Sequence, residues 1–261
     1  MSRGRSDRPD PPVVERVNEQ GRSPVVLLCE HASRFIPIRY GNLGLAEPEL
    51  SRHIAWDIGA AALARDLAAR LDAPLFLHGY SRLLIDPNRP LAALDSIPTS
   101  SESTIIPGNA GIDRRERQLR AERYFTPYHD AVATHLDHRQ ASGRPTVVVG
   151  VHTFTPVFRG VRRPWHAGVL FGAASRYGRA LVAALGAPGL IIGANQPYSI
   201  HPDGDYTVPV HGDGRRLPAV LFEVRNDLLD SAADVGAWAD RLAAVLEATI
   251  HYATEATVDG G

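Results

Sequence analysis

Lysine is missing altogether: all 28 basic residues of this 261-residue chain are arginine. Schiff-base and lysine-nucleophile mechanisms are therefore closed to it. The bias itself reads first as genomic composition. Cysteine occurs once, at Cys29, so no internal disulfide can form, as suits a reducing cytoplasm. No apolar run approaches the roughly 18 residues of a membrane span. Charge of one sign is scarce too: 28 basic residues face 29 acidic ones, a net charge of -1. The whole molecule thus has no electrostatic reason to seek nucleic acid or an anionic membrane. Walker and dinucleotide-binding patterns are absent. Residues 1–22 are rich in Arg, Asp and Pro and lack an apolar signal core, so they read as a disordered tail. The remaining 23–255, in a chain that is 44% hydrophobic, suffices for one α/β domain. Nothing demands a second chain, and a monomer is the expectation.

The chain is organised around Pro24–Pro37, PVVLLCEHASRFIP. Val25–Cys29 is a continuous apolar run, the signature of a strand buried on both faces. It ends in Glu30 and His31, and open α/β sheets form their sites beyond the carboxyl ends of such strands. Ala46–Leu71 has helical spacing, with Asp57 either inside the helix or capping a second one. Leu75–His78 and Ser81–Pro90 read as strands, the latter running into a polar turn. Residues 91–112 read as a loop. Asp113 and Glu116 have capping-box spacing, and Pro127 should kink or split the helix they open. Thr146–Val151 is a second fully apolar strand that ends at a histidine, His152. Gly168–Phe171, Leu190–Gly193 and Ala219–Val224 complete the strands, with a helix over Arg176–Leu185 and a long polar loop over Asn195–Gly214. Ser231–Tyr252 is a closing amphipathic helix. Alternating strands and helices imply a three-layer helix-sheet-helix sandwich with a mixed, mostly parallel sheet. His31, His152 and Glu223 should then meet on one rim.

Two imidazoles at strand ends suit Zn²⁺, which takes N and O ligands and in catalytic sites leaves a position for water. The third ligand should be a carboxylate. Glu30 and Asp57 compete for it: Glu30 adjoins His31 and would face away from it in a regular strand, so Asp57 is preferred and Glu30 is the alternative. Glu223 sits in an otherwise apolar strand, where burial raises a carboxyl pKa toward that of a general base; an ion pair with Arg225 is the structural explanation. Arg82, Asp86, Asn88 and Arg89 share one turn, where one arginine can pair with Asp86 while the other grips an anionic substrate. Cys29 ends a buried run and reads as an inert small hydrophobe. Ser33 and Ser81 lack a nucleophile elbow. His53, His78, His129, His135, His138 and His251 read as structural, whereas His166, His201 and His211 stay open as contacts to the site.

Taken together and in this order, CEHASRFIP, HIAWDIGA, SRLLIDPNRP, IIPGN, VHTFTPVFRG, NQPYS, DYT and FEVRNDL resemble the N-formylglutamate amidohydrolase family over roughly residues 24–250. The resemblance implies a fold like the zinc carboxypeptidases and aspartoacylases. It also implies hydrolysis of an N-acyl amino acid, typically N-formyl-L-glutamate to formate and L-glutamate in histidine breakdown. The implied site has His31, His152 and either Asp57 or Glu30 on a divalent metal. Glu223 and Arg82 would be catalytic, and Arg82, Asn88, Arg89, Asn195 and Tyr198 would hold the anionic substrate. Related carboxypeptidase-like sites space the first two ligands as His-x-x-Glu; Arg34 stands at that third position here.

Overall fold

Five consecutive apolar residues, Val25–Cys29, are all buried in the centre of the protein, because both faces of the strand they form are covered. The computed structural model describes residues 9–255. In chain order the elements are β1 (Val14–Val17), β2 (Val25–Cys29), α1 (Glu47–Leu50), α2 (Ala60–Leu71), β3 (Leu75–His78) and the hairpin β4 (Ser100–Ser101) with β5 (Thr104–Ile105). Then come α3 (Arg114–Arg120), α4 (Thr126–Ala141), β6 (Val147–Phe154), the hairpin β7 (Val157–Phe158) with β8 (Val161–Arg162), and β9 (Ala167–Phe171). The chain closes with α5 (Ser175–Leu185), β10 (Ile192–Ala194), β11 (Ala219–Arg225) and α6 (Ala232–Glu255).

Seven strands form one sheet in the order β1-β3-β2-β6-β11-β9-β10. The pairs β3/β2, β2/β6, β6/β11 and β9/β10 are parallel, while β1/β3 and β11/β9 are antiparallel. The sheet is thus mixed and mostly parallel, as the alternation of strands and helices implies. One face carries α2, α5 and α6, whose Leu63, Leu67, Leu181, Trp238 and Leu242 pack on Leu27, Val149 and Phe222. Tyr128, Val132 and Leu136 of α4 cover the other face over Val26, Leu28 and Val148. Each such side chain contributes roughly 1.5–3 kcal/mol by leaving water, which holds the central strand ends in fixed relative positions.

Several expectations shift. The tail expected over 1–22 does not extend that far: Val14–Val17 pairs with Leu75–His78 as the edge strand. Residues 1–8 of that expectation lie outside the described residues. Of the two readings of Ala46–Leu71, the one with a second helix running to Leu71 holds: α1 and α2 are separate, and residues 51–59 between them are turns. Gly59 marks the break with φ of 86°, a left-handed conformation that favours glycine. A Cβ there would also stand 3.1 Å from Leu229. The break frees Asp57 from the helix surface, and its backbone N–H donates to the His31 carbonyl at 3.0 Å. Ser81–Pro90 forms turns rather than a strand. Leu83, Leu84 and Ile85 are buried in a third cluster beyond the sheet, and an apolar run alone does not tell that from a strand. Asp113 does cap α3, accepting from the Glu116 N–H at 2.8 Å. A π-helical turn then precedes Pro127 in the first turn of α4.

Candidate active site

The side-chain alternation of the sheet places three groups on the α4 side. Val148, Gly150 and His152 share a face of β6, and Leu221 and Glu223 share the corresponding face of β11, with Glu223 directly beside His152 in register. Val26 and Leu28 of β2 point the same way, and Glu30 continues that series just past the strand end. His31 turns to the other side of the rim, where residues 51–59 present Asp57.

Three ring and carboxylate atoms converge there. His152 Nδ1 is 2.9 Å from Asp57 Oδ2 and 3.1 Å from His31 Nδ1, and His31 Nδ1 is 3.3 Å from Asp57 Oδ2. All three residues are buried, and together they form a group able to hold a metal ion. The far nitrogens are occupied: His31 Nε2 lies 2.8 Å from Asp86 Oδ1, and His152 Nε2 lies 2.8 Å from Glu30 Oε2. A carboxylate on Nε2 fixes the N–H on that nitrogen and leaves Nδ1 as the lone-pair side. With both rings neutral, as metal binding requires, the cluster presents two nitrogen lone pairs and a carboxylate oxygen at one point. Of the two carboxylates open as third ligand, Asp57 reaches that point. Glu30 instead orients His152 from behind, and Thr207 Oγ1 donates to its other oxygen.

The electrostatics follow from this packing. Burial would raise the Glu30 carboxyl, but the His152 ring and the hydrogen bonds from His152 and Thr207 outweigh it and hold it at about 2. Burial likewise opposes ionisation of Asp57, and His31 and His152 overcome it, holding its carboxyl far below the usual range. Asp86 is held low against burial by Arg82 and His31. Burial alone would depress His152, yet Glu30 and Asp57 drive its pKa well above the ordinary value. The cluster thus attracts positive charge at the convergence point. Glu223 differs: burial pushes it up to about 8, His152 opposes the rise and Asp57 adds to it. Its Oε2 is buried with no hydrogen-bond partner, and Arg225 pairs with Asp227 at 2.7 Å rather than with Glu223.

A cavity of about 700 Å³ opens over the cluster, lined in part by His31, Asp57, Arg82, His152, Tyr198 and Glu223. Arg82 bonds Asp86 Oδ2 through Nε at 3.0 Å and Nη2 at 2.7 Å, and its Nη1 is 3.5 Å from Asp57 Oδ1. Asn88, Arg89, Asn195 and Tyr198 all line this cavity, and each makes at least one contact within the protein. The Asn88 side-chain oxygen accepts from the Tyr206 and Thr207 N–H groups. Arg89 pairs through Nη1 with Asp205 at 2.8 Å and through Nε with Asp95 at 3.1 Å. The Asn195 side-chain oxygen accepts from Phe171 N–H at 2.9 Å. The Tyr198 hydroxyl accepts from Arg163.

His53, read as structural, and His201 both line the cavity, whereas His211 packs against His129 behind it. Sequence reasoning missed Thr207 and Arg163. Thr207 lies in DYT, one of the matched segments, but nothing in its spacing shows that it meets Glu30. Arg163 carries no sequence signal that separates it from its neighbour Arg162.

A mostly parallel α/β sheet whose rim gathers two histidines, the aspartate of residues 51–59 and a raised buried glutamate is an arrangement suited to hydrolysis. The model of the N-formylglutamate amidohydrolase family matches residues 23–229, and the chain belongs to that family. The gene product Atu2144 from Agrobacterium tumefaciens has a crystal structure that superposes with a TM-score of 0.90 at 37% identity, covering 93% of this chain and 96% of that one. The N-formylglutamate amidohydrolase from Ralstonia eutropha JMP134 is similar at a TM-score of 0.63 and 18% identity, over 93% of this chain and 98% of that one, a likeness of fold. No curated protein matches the sequence. No helix of the described residues is long and apolar enough to cross a membrane.

Proposed function

We propose that the protein is a metal-dependent amidohydrolase that cleaves an N-acyl amino acid, with N-formyl-L-glutamate as the favoured substrate. The observation that carries the metal is the convergence of His31 Nδ1, His152 Nδ1 and Asp57 Oδ2. Their separations of 2.9–3.3 Å approach the edges of about 3.3–3.4 Å that a tetrahedron with bonds of 2.0–2.1 Å requires. Two nitrogens and one carboxylate oxygen with an open fourth side are a donor set suited to Zn²⁺ or a similar divalent ion. Such an ion, when bound, acidifies a water molecule and polarises a carbonyl.

The chain's own groups supply the rest. Glu223 Oε2 is buried without a partner and takes the proton of the attacking water. As the water oxygen bonds to the acyl carbon and the C–N bond breaks, Glu223 returns that proton to the leaving nitrogen. A cation held by His31, Asp57 and His152 would favour the ionised form of Glu223, which burial alone disfavours. The Arg82 guanidinium, fixed between Asp57 and Asp86, places positive charge where the carbonyl oxygen becomes negative. Metal analysis of the purified protein together with a formate-release assay on a panel of formylated amino acids tests this reading. Formate release that stops on chelation and returns with added zinc supports it; full turnover in the chelated protein overturns the metal dependence, and no turnover by the zinc-loaded protein overturns the activity.

A further inference from the structure

Arg139 is a buried cation that bonds only to neutral oxygens. It sits near the end of α4 and is 1% exposed. Nε donates to Thr146 Oγ1 at 2.9 Å, and Nη2 donates to the carbonyls of Ser23 at 2.8 Å and Pro145 at 2.9 Å. Nη1 is buried with no partner. Burial, and after it the neighbouring cation Arg144, push the Arg139 guanidinium down to about 10. Arg144 is half-buried, and its Nη2 donates to the Gly21 carbonyl at 3.0 Å. Among the described residues neither arginine forms an ion pair with an acidic side chain. A buried guanidinium is costly to keep unless an anion answers it.

Both arginines line a second cavity, of about 410 Å³, which shares no residue with the one over the histidine cluster. Arg16 of β1 and His135 of α4 line it too. His135 Nε2 is buried without a partner, and burial together with Arg139 lowers its pKa to about 4. Two carboxylates are also in the wall: Glu19 is spent on Arg16 at 3.2 Å, and Asp130 is exposed. Three arginines against two acids leave the wall positive, with the excess at Arg139 and Arg144.

The donors also select the anion. A carboxylate is best gripped by two parallel N–H groups of one guanidinium. In Arg139 both Nε and Nη2 are already used on chain oxygens, which leaves Nη1 alone. Single donors from β1, α4 and the loop before β6 instead suit the several acceptor oxygens of a phosphate group.

We propose that this second cavity binds the phosphate group of a small molecule, with Arg139 and Arg144 as its charge partners. The site lies outside the hydrolytic cavity and does not depend on the amidohydrolase reading. Its volume is that of a small-molecule site, which leaves room for an organic substituent on the phosphate. Through the Ser23 and Gly21 carbonyls the same arginines hold the segment that enters β2.

The test is isothermal calorimetry of the purified protein with inorganic phosphate and with glycerol 3-phosphate at constant ionic strength, for wild type, Arg144→Ala and Arg139→Gln. Wild type should bind at least one of the two. Each variant should weaken that binding about tenfold or more, the size expected for a hydrogen bond to a charged group. Tighter binding of the ester supports a phosphate monoester as the ligand, and equal or tighter binding of phosphate supports the free ion. Affinity unchanged in both variants places the anion elsewhere, as over the His31–Asp57–His152 cluster, and overturns the proposal. A wild type that binds neither compound at millimolar concentration overturns it as well. If Arg139→Gln does not fold, Arg144→Ala and Arg144→Glu decide: the reversed charge should abolish binding, and retained binding overturns the proposal.

Discussion

Replacing Glu30 by Gln asks how the metal site is held. Glu30 is fully buried, with Oε2 on His152 Nε2 at 2.8 Å and Oε1 accepting from Thr207. The amide of Gln keeps the shape and retains one acceptor for the His152 N–H. It removes the negative charge that helps raise the His152 pKa and fixes its ring. Loss of such an orienting partner typically weakens metal affinity 10–100-fold, which is about 1.4–2.7 kcal/mol. Asp57→Asn should cost far more, because Asp57 supplies the oxygen that stands 2.9 Å from His152 Nδ1. Zinc affinity measured by competition with a colorimetric chelator compares the two variants directly. If Glu30→Gln abolishes zinc binding as completely as Asp57→Asn, Glu30 is itself a ligand. If it leaves affinity unchanged, the carboxylate does not set the His152 tautomer. Either result refutes the reasoning.

Glu223→Gln should lower kcat for formate release by roughly 10²–10⁴-fold, about 3–5 kcal/mol of barrier, with zinc content retained; full turnover with zinc bound would move the proton acceptor elsewhere. Arg89→Lys should leave KM within about threefold and cost about 1 kcal/mol of stability, since Arg89 is held by Asp205 and Asp95; a large rise in KM for acidic substrates alone would show that Arg89 grips them after all. His129 Nε2 donates to the Pro87 carbonyl, so its Nδ1 accepts from His211 Nε2 at 2.9 Å, and both rings are buried. Burial lowers the His211 pKa from 6.5 to about 4. Both states are neutral above pH 6.5; as pH falls toward 4 the unfolded chain takes up the proton and the folded one does not, so stability drops by up to about 3 kcal/mol. His211→Gln should flatten that part of the stability profile in denaturant titrations, and an unchanged slope would count against a neutral buried His211.

Much was legible in the sequence because it depends on local pattern. Val25–Cys29 and Val147–Val151 are apolar on every residue, as a strand covered on both faces requires, and each run leads to a histidine of the cluster. The pairing of β6 with β11 then sets His152 beside Glu223 on one face. What the tertiary structure alone decided concerns atoms brought together from distant segments. Asp57 reaches the cluster because the chain breaks at residues 51–59, and a helical apolar pattern that continues across the break conceals it. Glu30 and Asp86 each face the far nitrogen of a histidine, a distinction between holding an ion and holding its ligand that spacing along the chain cannot express. Arg89 meets Asp205, 116 residues on, and Arg163 meets Tyr198, 35 residues on. The type and position of these arginines were visible from the start. Which partner each charge meets depended on which loop folded against it, and long-range packing sets that.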